Sequence, residues 1–168
     1  MNNQARELID HFNMQILPQE GGYFTEYFDS DLLLPQTWFG DRYNGDRKLY
    51  GFSYYLMTDE TFSNWHRLKS DEFWQWSAGD VAEQLQLFPD GSLKRILLGG
   101  DYKNGESFVA LVPKDVWQST RLISGGQYAL YGVTTAPRFN YDDWEHATVE
   151  QLVEEFSQHK DVLLRNQR

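Results

Sequence analysis

The sequence predicts an all-β protein, an antiparallel barrel or double-sheet jelly roll with a short helix at each end. Three observations lead to this fold class. Seven or eight short runs have β-strand character, turn signals separate them at short spacing, and aromatic residues make up 16% of the chain. Short, closely punctuated strands are typical of barrels and jelly rolls, and aromatic side chains favour pleated, half-buried surfaces.

The first predicted element is a short amphipathic helix. Its apolar residues recur at the spacing i, i+3, i+4 and i+7, which places them on one helical face. They are Ala5, Leu8, Ile9 and Phe12. Pro18 and the pair Gly21-Gly22 then indicate a turn, so the helix ends before the first strand begins.

The first predicted strand runs from Tyr23 to Phe28, and period-two alternation places Phe24, Glu26 and Phe28 on one of its faces. Residues 29–47 are rich in Pro, Gly, Asn and Asp, and they predict a long loop or hairpin excursion. Further β-rich runs follow, with turn signals between them. They are Lys48 to Thr58, Glu72 to Ser77, Ala82 to Phe88, Leu93 to Leu98, Ser107 to Val112, Trp117 to Leu122 and Tyr128 to Thr134.

A second helix is predicted near the C-terminus, where Thr148 and Gln151 have the spacing of a capping box. An apolar stripe of Leu152, Val153 and Phe156 follows, so this helix is expected to cover the barrel. The element order is helix, β-barrel, helix, in a single domain spanning residues 1–168.

Composition excludes several classes of function. A net charge of -10 argues against nucleic-acid binding, which needs clustered Lys and Arg. The chain has no cysteine, no secretory signal pattern at its start and no apolar run of about 18 residues that could cross a membrane. These features predict a cytoplasmic protein without a membrane or nucleic-acid partner.

A pocket is predicted around His66, placed near the end of one strand, and Glu72, at the start of the next. Alternation then puts Glu72, Trp74 and Trp76 on one face. If that face is interior, an imidazole and a carboxylate meet two indoles, which is the usual anatomy of a small-molecule site. The alternative is that the two Trp residues only fill the barrel, while His66 and Glu72 form one hydrogen-bonded pair at its rim.

Residues 66–79 resemble the first signature of the cupins, in which two His residues and a Glu point into a small barrel. A second signature is matched by the run from Gly105 to Gln118, where Gln118 stands at the position of a third His. Between residues 10 and 160 the chain is similar to the fifth cupin domain family. This resemblance implies a cupin double-stranded β-helix and a homodimer, and it brings no assigned reaction. The strand from Tyr23 to Phe28 is the expected dimer edge.

The resemblance to cupins also raises the question of a metal. A divalent ion, if present, would be held by His66, Glu72 and Gln118, because Leu68 stands where the second cupin His is expected and cannot donate. An amide oxygen is a weak ligand for zinc or iron, so only two strong donors remain. The sequence therefore predicts no resident cofactor.

A metal-free chemistry uses the same residues. The run from Glu20 to Glu26 is similar to a segment of the sugar-nucleotide 3,5-epimerases, which are cupins that abstract a proton next to a carbonyl group. In that interpretation His66 is the general base and Glu72 or Glu26 orients it. The remaining roles fall to residues that return a proton or bind an anionic group. They are Tyr54 or Tyr131 for the proton and Arg67 for the anion.

Three hypotheses remain open at this point. The first is an isomerase or epimerase acting on a sugar or related carbonyl compound. The second is a non-catalytic protein that binds a sugar or nucleotide against its tryptophans, and the third is a metal-dependent oxygenase or lyase. The other histidines, His11, His146 and His159, are expected in helices or loops away from the pocket.

Overall fold

The computed structural model describes residues 1–165, which form thirteen β-strands and three α-helices. The strands are β1 (Gln15–Leu17), β2 (Gly21–Asp29), β3 (Leu33–Leu34), β4 (Arg47–Lys48), β5 (Gly51–Thr58), β6 (Ser63–Leu68), β7 (Asp71–Gly79), β8 (Ala82–Leu87), β9 (Leu93–Leu98), β10 (Val109–Val112), β11 (Trp117–Leu122), β12 (Tyr128–Ala136) and β13 (Trp144–His146). The helices are α1 (Asn3–His11), α2 (Val149–Glu155) and α3 (Lys160–Arg165).

Eleven of these strands form one antiparallel sheet that curls into a nearly closed barrel. The order is β10-β7-β12-β5-β2-β6-β11-β8-β9, with β1 beside β2 and β13 beside β6. The two terminal strands approach each other at one end, where Ser107 N donates to Leu97 O at 2.7 Å. The predicted all-β barrel with short flanking helices is thereby confirmed.

The barrel interior holds the largest apolar core, because strand residues alternate between the inside and the outside. The buried inward side chains come from seven strands, and those on the central strands are Tyr55, Met57, Trp74, Ala129, Tyr131 and Val133. Outside the barrel, α1 packs Ala5 against Leu56 and Leu130. The C-terminal helices cover Trp65 and Trp117 on the outer faces of β6 and β11.

The predicted helices are confirmed with one change of length. Asn2 caps α1 by accepting from Gln4 N, and the capping box of Thr148 and Gln151 begins α2. The predicted C-terminal helix is two short helices, because Phe156 leaves helical geometry with φ -124° and ψ 53°. A 3-10 turn then leads into α3.

The position of β2 differs from the sequence expectation. It pairs with β5 along most of its length, so it lies inside the sheet and the terminal strands are β9 and β10. A β-bulge between Glu26 and Phe28 also breaks the alternation predicted for this strand. The homodimer stays a prediction, without the edge that the sequence suggested. No helix among residues 1–165 is long and apolar enough to cross a membrane.

Candidate functional site

His66 and Glu72 lie inside the barrel on two consecutive strands, β6 and β7, which are not paired with each other in the sheet. Their exposed fractions are 1% and 7%. Gln118 on β11 is equally buried, and its Nε2 donates a hydrogen bond to Glu72 Oε2. Because β7 and β11 are not neighbours in the sheet, this bond crosses the interior. The three residues predicted for the pocket therefore share one buried site.

Glu20 joins this site from the turn between β1 and β2. Its side chain is buried and accepts a hydrogen bond from Ser63 Oγ at 3.2 Å. Asn64 holds the turn in place, since its N donates to Glu20 O and its Nδ2 to Gln19 O, both at 2.7 Å. The residue pattern of this segment predicts a turn and gives Glu20 no role. The Glu20–Glu26 similarity to epimerases was the only signal that included it.

Tyr55 also lies in the interior site, although the sequence pattern did not predict it there. Its ring fills the interior next to β2, where an added Cβ on Gly22 would lie 2.4 Å from Tyr55 Oη. Only glycine leaves space for this ring, so Gly22 is needed for packing inside the barrel as well as for the turn. The buried Tyr55 hydroxyl interacts with the side chains of Glu20 and Ser63.

The hydrogen bonds of His66 determine which ring nitrogen is basic. Its Nδ1 lies 2.7 Å from Asn64 O, and a carbonyl oxygen can only accept, so the hydrogen sits on Nδ1. Its Nε2 therefore carries the lone pair and lies 3.8 Å from Glu20 Oε1. That distance is too long for a hydrogen bond and short enough for Glu20 to stabilise a protonated imidazole.

The buried environment shifts the protonation of two neighbours. Burial raises the pKa of the Glu72 carboxyl above its ordinary value, while a charge on His66 opposes this rise and the charge of Glu20 adds to it. Burial also raises the pKa of Tyr55 far above its ordinary value, with a further contribution from Glu20. The Tyr55 hydroxyl therefore keeps its proton at neutral pH and can act as a donor.

Aromatic rings form the wall on the β7 side of the interior. Trp74 is fully buried and meets the rings of Tyr55 and Tyr131 edge to face, with centroid distances of 5.1 and 5.4 Å. Trp76 faces the same way but is only partly buried and packs near Phe108. Tyr131 donates weakly to Leu98 O at 3.4 Å, and burial raises the pKa of its hydroxyl. Trp74, Trp76 and Tyr131 therefore all line the interior.

Three residues predicted for the pocket lie outside it. Tyr54 points outward on β5 and packs against Phe12 of α1, with ring centroids 4.4 Å apart. Glu26 is half exposed and pairs with Arg138 at the barrel surface. Arg67 pairs with Glu145 at 2.8 Å and stacks over the outward ring of Trp117. The alternation of β5 and β6 and the bulge in β2 account for these positions.

The other histidines also have defined places. His146 was expected in a loop, but it lies in β13 directly opposite His66 in the register. Burial lowers the pKa of His146, and the charge of His66 acts in the same direction. His159 Nε2 lies 2.7 Å from Gly91 O in the 3-10 turn before α3, and His11 ends α1. Only His66 reaches the interior cluster.

The donor set does not fit a tightly bound transition metal. Leu68 cannot donate, and the amide of Gln118 is oriented with its Nε2 towards Glu72. Across residues 1–165, no three His, Cys, Asp or Glu side chains are grouped so that they could hold a metal ion. Zinc and iron sites generally need three or more protein ligands of this kind. No chemical step is therefore assigned to a metal.

The comparison with known families agrees with this barrel. The profile described as Cupin superfamily (DUF985) matches residues 6–147, which is most of the chain. The protein belongs to this cupin family. No curated protein matches this cupin significantly.

Two solved structures resemble this cupin over nearly their whole length. A hypothetical protein from Leishmania major is 28% identical, with a TM-score of 0.87 over 96% of this chain and 97% of that chain. A protein from Shewanella oneidensis is also 28% identical, with a TM-score of 0.86 over 100% and 99% of the two chains. Neither protein is described with a reaction.

More distant cupins share the fold alone. A cupin-2 domain protein from Rhodospirillum rubrum is 8% identical, with a TM-score of 0.58 over 92% of this chain and 89% of that chain. An oxalate decarboxylase of Bacillus subtilis is 12% identical, with a TM-score of 0.52 over 92% and 38% of the two chains. At these sequence identities, the structural similarity shows the barrel fold and assigns no reaction to this protein.

Proposed function

We propose that this cupin is a metal-independent isomerase or epimerase of a sugar or related carbonyl compound, with His66 as its general base. One observation carries the proposal: the basic Nε2 of His66 is buried inside the barrel, 3.8 Å from a carboxylate. The bond between Nδ1 and Asn64 O keeps the ring in the tautomer that a base requires. A ligand whose carbon-bound proton meets Nε2 would be deprotonated there.

The two carboxylates give the base its driving force. Proton abstraction turns the imidazole into an imidazolium, and this new charge is attracted to the Glu20 carboxylate across a short, water-poor distance. Glu72 acts from the β7 side, and its negative charge favours the same protonated state of His66. In this proposal Glu20 takes the orienting role that the sequence suggested for Glu72 or Glu26.

Tyr55 supplies the proton donor that the reaction needs. Its hydroxyl is protonated at neutral pH and is buried beside Glu20 and Ser63. A buried donor beside the carboxylate that faces His66 can stabilise the enolate oxygen or return a proton to the substrate carbon. Tyr131 is a weaker candidate because its hydroxyl faces Leu98 O.

Solvent deuterium exchange tests the proposed reaction. The protein is incubated in D2O with a panel of aldoses, ketoses and 2-keto acids, and deuterium at the carbon next to the carbonyl is measured by NMR. We expect exchange with at least one compound class, and His66→Gln should lower the rate about 100-fold or more because general-base catalysis typically contributes 10²–10⁴-fold. His159→Gln is the matched control, since His159 lies outside the barrel.

A non-catalytic binding protein is the second candidate. The observation that favours it is the set of buried polar atoms without partners in residues 1–165, including Trp74 Nε1 and Gln118 Oε1, which can hold a ligand without any chemistry. A ligand that binds the wild-type protein and His66→Gln equally well, with no exchange in either, would support this candidate and exclude the first.

A further inference from the structure

Gln86 and Gln118 form a pair on the inner wall of the barrel. They are directly opposite each other in the register of β8 and β11, with their side chains buried inside at 0% and 1% exposure. Register partners on neighbouring strands have Cβ atoms about 5 Å apart. The two side-chain amides therefore share one small region of the interior, on the wall opposite Glu72.

The hydrogen bonds of both amides fix which end is free. Gln86 Nε2 donates to Gln84 Oε1 at 2.8 Å and to Leu111 O at 3.0 Å. Gln118 Nε2 donates to the carboxylate of Glu72. Turning either amide over would place an oxygen against these acceptors, so in both cases Oε1 is the remaining atom. Neither Oε1 has a hydrogen-bond partner in residues 1–165, although both are buried.

Two unpaired acceptors side by side need an explanation. Leaving one buried acceptor unsatisfied costs about 1–3 kcal/mol, and nearly all such groups in folded proteins have a partner. Gln84, two residues along β8 on the same face, shows the ordinary arrangement, since its Oε1 accepts from Gln86 and its Nε2 donates to Thr120. The free oxygens are therefore a local feature of the Gln86–Gln118 pair.

A surface groove lies beside Gln86. Strands β9 and β10 are the two ends of the sheet, and the seam between them opens into a groove of about 370 Å3. Gln86 lines this groove together with Lys94, Ile96, Ala110 and Leu111. Gln86 is the member of the pair that borders this groove.

We propose that Gln86 and Gln118 form a diol-binding subsite, in which their two Oε1 atoms accept hydrogen bonds from adjacent hydroxyl groups of the ligand. Two neutral acceptors suit neutral hydroxyl donors, because burying a cation there would cost more than burying a hydroxyl. This inference rests on the proposed function, because both place the ligand inside the barrel. It narrows the ligand to a polyhydroxylated compound such as a sugar.

Side-chain amide resonances in 15N-labelled protein test the subsite directly. Ethylene glycol, glycerol and D-ribose are titrated as probes, with 1,2-dimethoxyethane as the matched molecule that lacks hydroxyl donors. We expect the diols to shift the Gln86 and Gln118 amide signals in a saturable manner, while 1,2-dimethoxyethane does not. Shifts that are absent, or equal for the ether, would overturn the proposal. Tighter binding of methylammonium than of any diol would overturn the choice of a neutral donor.

Substitutions separate this subsite from the catalytic proposal. Gln86→Met and Gln118→Met should each weaken D-ribose binding roughly tenfold, the effect of losing one buried hydrogen bond. Gln84→Met is the control and should leave the affinity within about threefold, since Gln86 keeps its bond to Leu111. Unchanged affinity in the first two variants overturns the inference. If one of them does not fold, the ether comparison on the wild-type protein decides.

The two proposals fail in different ways. Binding of diols without deuterium exchange would remove the proposed reaction and leave the diol subsite intact. Deuterium exchange in a protein whose affinity for diols does not depend on Gln86 or Gln118 would remove the diol subsite and leave the proposed reaction intact.

Discussion

The ion pair between Arg47 and Asp143 links β4 to the turn before β13. Breaking it tests how much a buried ion pair stabilises this protein. Arg47 lies in β4 and Asp143 in the turn before β13, and both side chains are at least 95% buried. The contact is bidentate, with Nε to Oδ2 at 2.7 Å and Nη2 to Oδ1 at 2.9 Å. Asp143→Ala would leave the guanidinium buried with the carbonyls of residues 44–46 and the ring of Tyr43 as its partners, and without a negative charge to pair with.

The expected loss follows from this burial. Breaking a buried ion pair by removing one partner costs about 3–5 kcal/mol, because the remaining charge is uncompensated. For a domain of this length, 1 kcal/mol corresponds to about 2–4 °C in Tm, so Asp143→Ala should melt roughly 6–20 °C lower. The pair of Arg67 and Glu145 is the internal control. It has a similar distance of 2.8 Å but is partly exposed, and such pairs contribute about 1 kcal/mol or less.

Urea unfolding and thermal melts of three variants measure the effect. Asp143→Ala should lose the predicted stability, Glu145→Ala should change little, and the double substitution Arg47→Met with Asp143→Leu should recover most of the loss because no charge stays buried. The reasoning is refuted if Asp143→Ala is as stable as Glu145→Ala. It is also refuted if the double variant is less stable than Asp143→Ala.

Two further predictions concern the interior. Because the folded pKa of Glu72 is raised above its ordinary 4.5, the wild-type protein should lose stability as pH rises from 4.5 through the folded value. Glu72→Gln should lack this loss in urea titrations from pH 4 to 8, and a parallel pH profile would contradict the assignment. Gly22→Ala should cost about 1–3 kcal/mol, since its Cβ would lie 2.4 Å from the Tyr55 ring. Unchanged urea unfolding would show that the ring can move aside.

Much of the local structure could be predicted from the sequence. Strands β8, β9 and β11 begin where their patterns indicated, and the capping box of Thr148 begins α2. The period-two alternation along β7 also places Glu72 and Trp74 on the inner face, as predicted. These predictions hold because turn residues and period-two alternation act over a few neighbouring residues.

The missed residues have a common physical cause. Tyr54 and Tyr55 are adjacent on β5, whose outer face is covered by α1, so both faces of that strand carry apolar residues. Alternation of polar and apolar residues is then absent, and the sequence alone does not show which tyrosine points inward. Glu26 was misplaced for a related reason, since the bulge in β2 shifts the register of its residues.

By itself, the sequence determined the β-rich barrel, the single imidazole in its signature and the lack of a second histidine ligand at Leu68. Only the tertiary structure decided that Glu20 lies beside His66, that Gln118 bonds to Glu72 across the interior, and that Gln86 stands opposite Gln118. These contacts join strands that are distant in the chain. Closure of the sheet brings them together, and no local pattern of residues encodes which strands will meet.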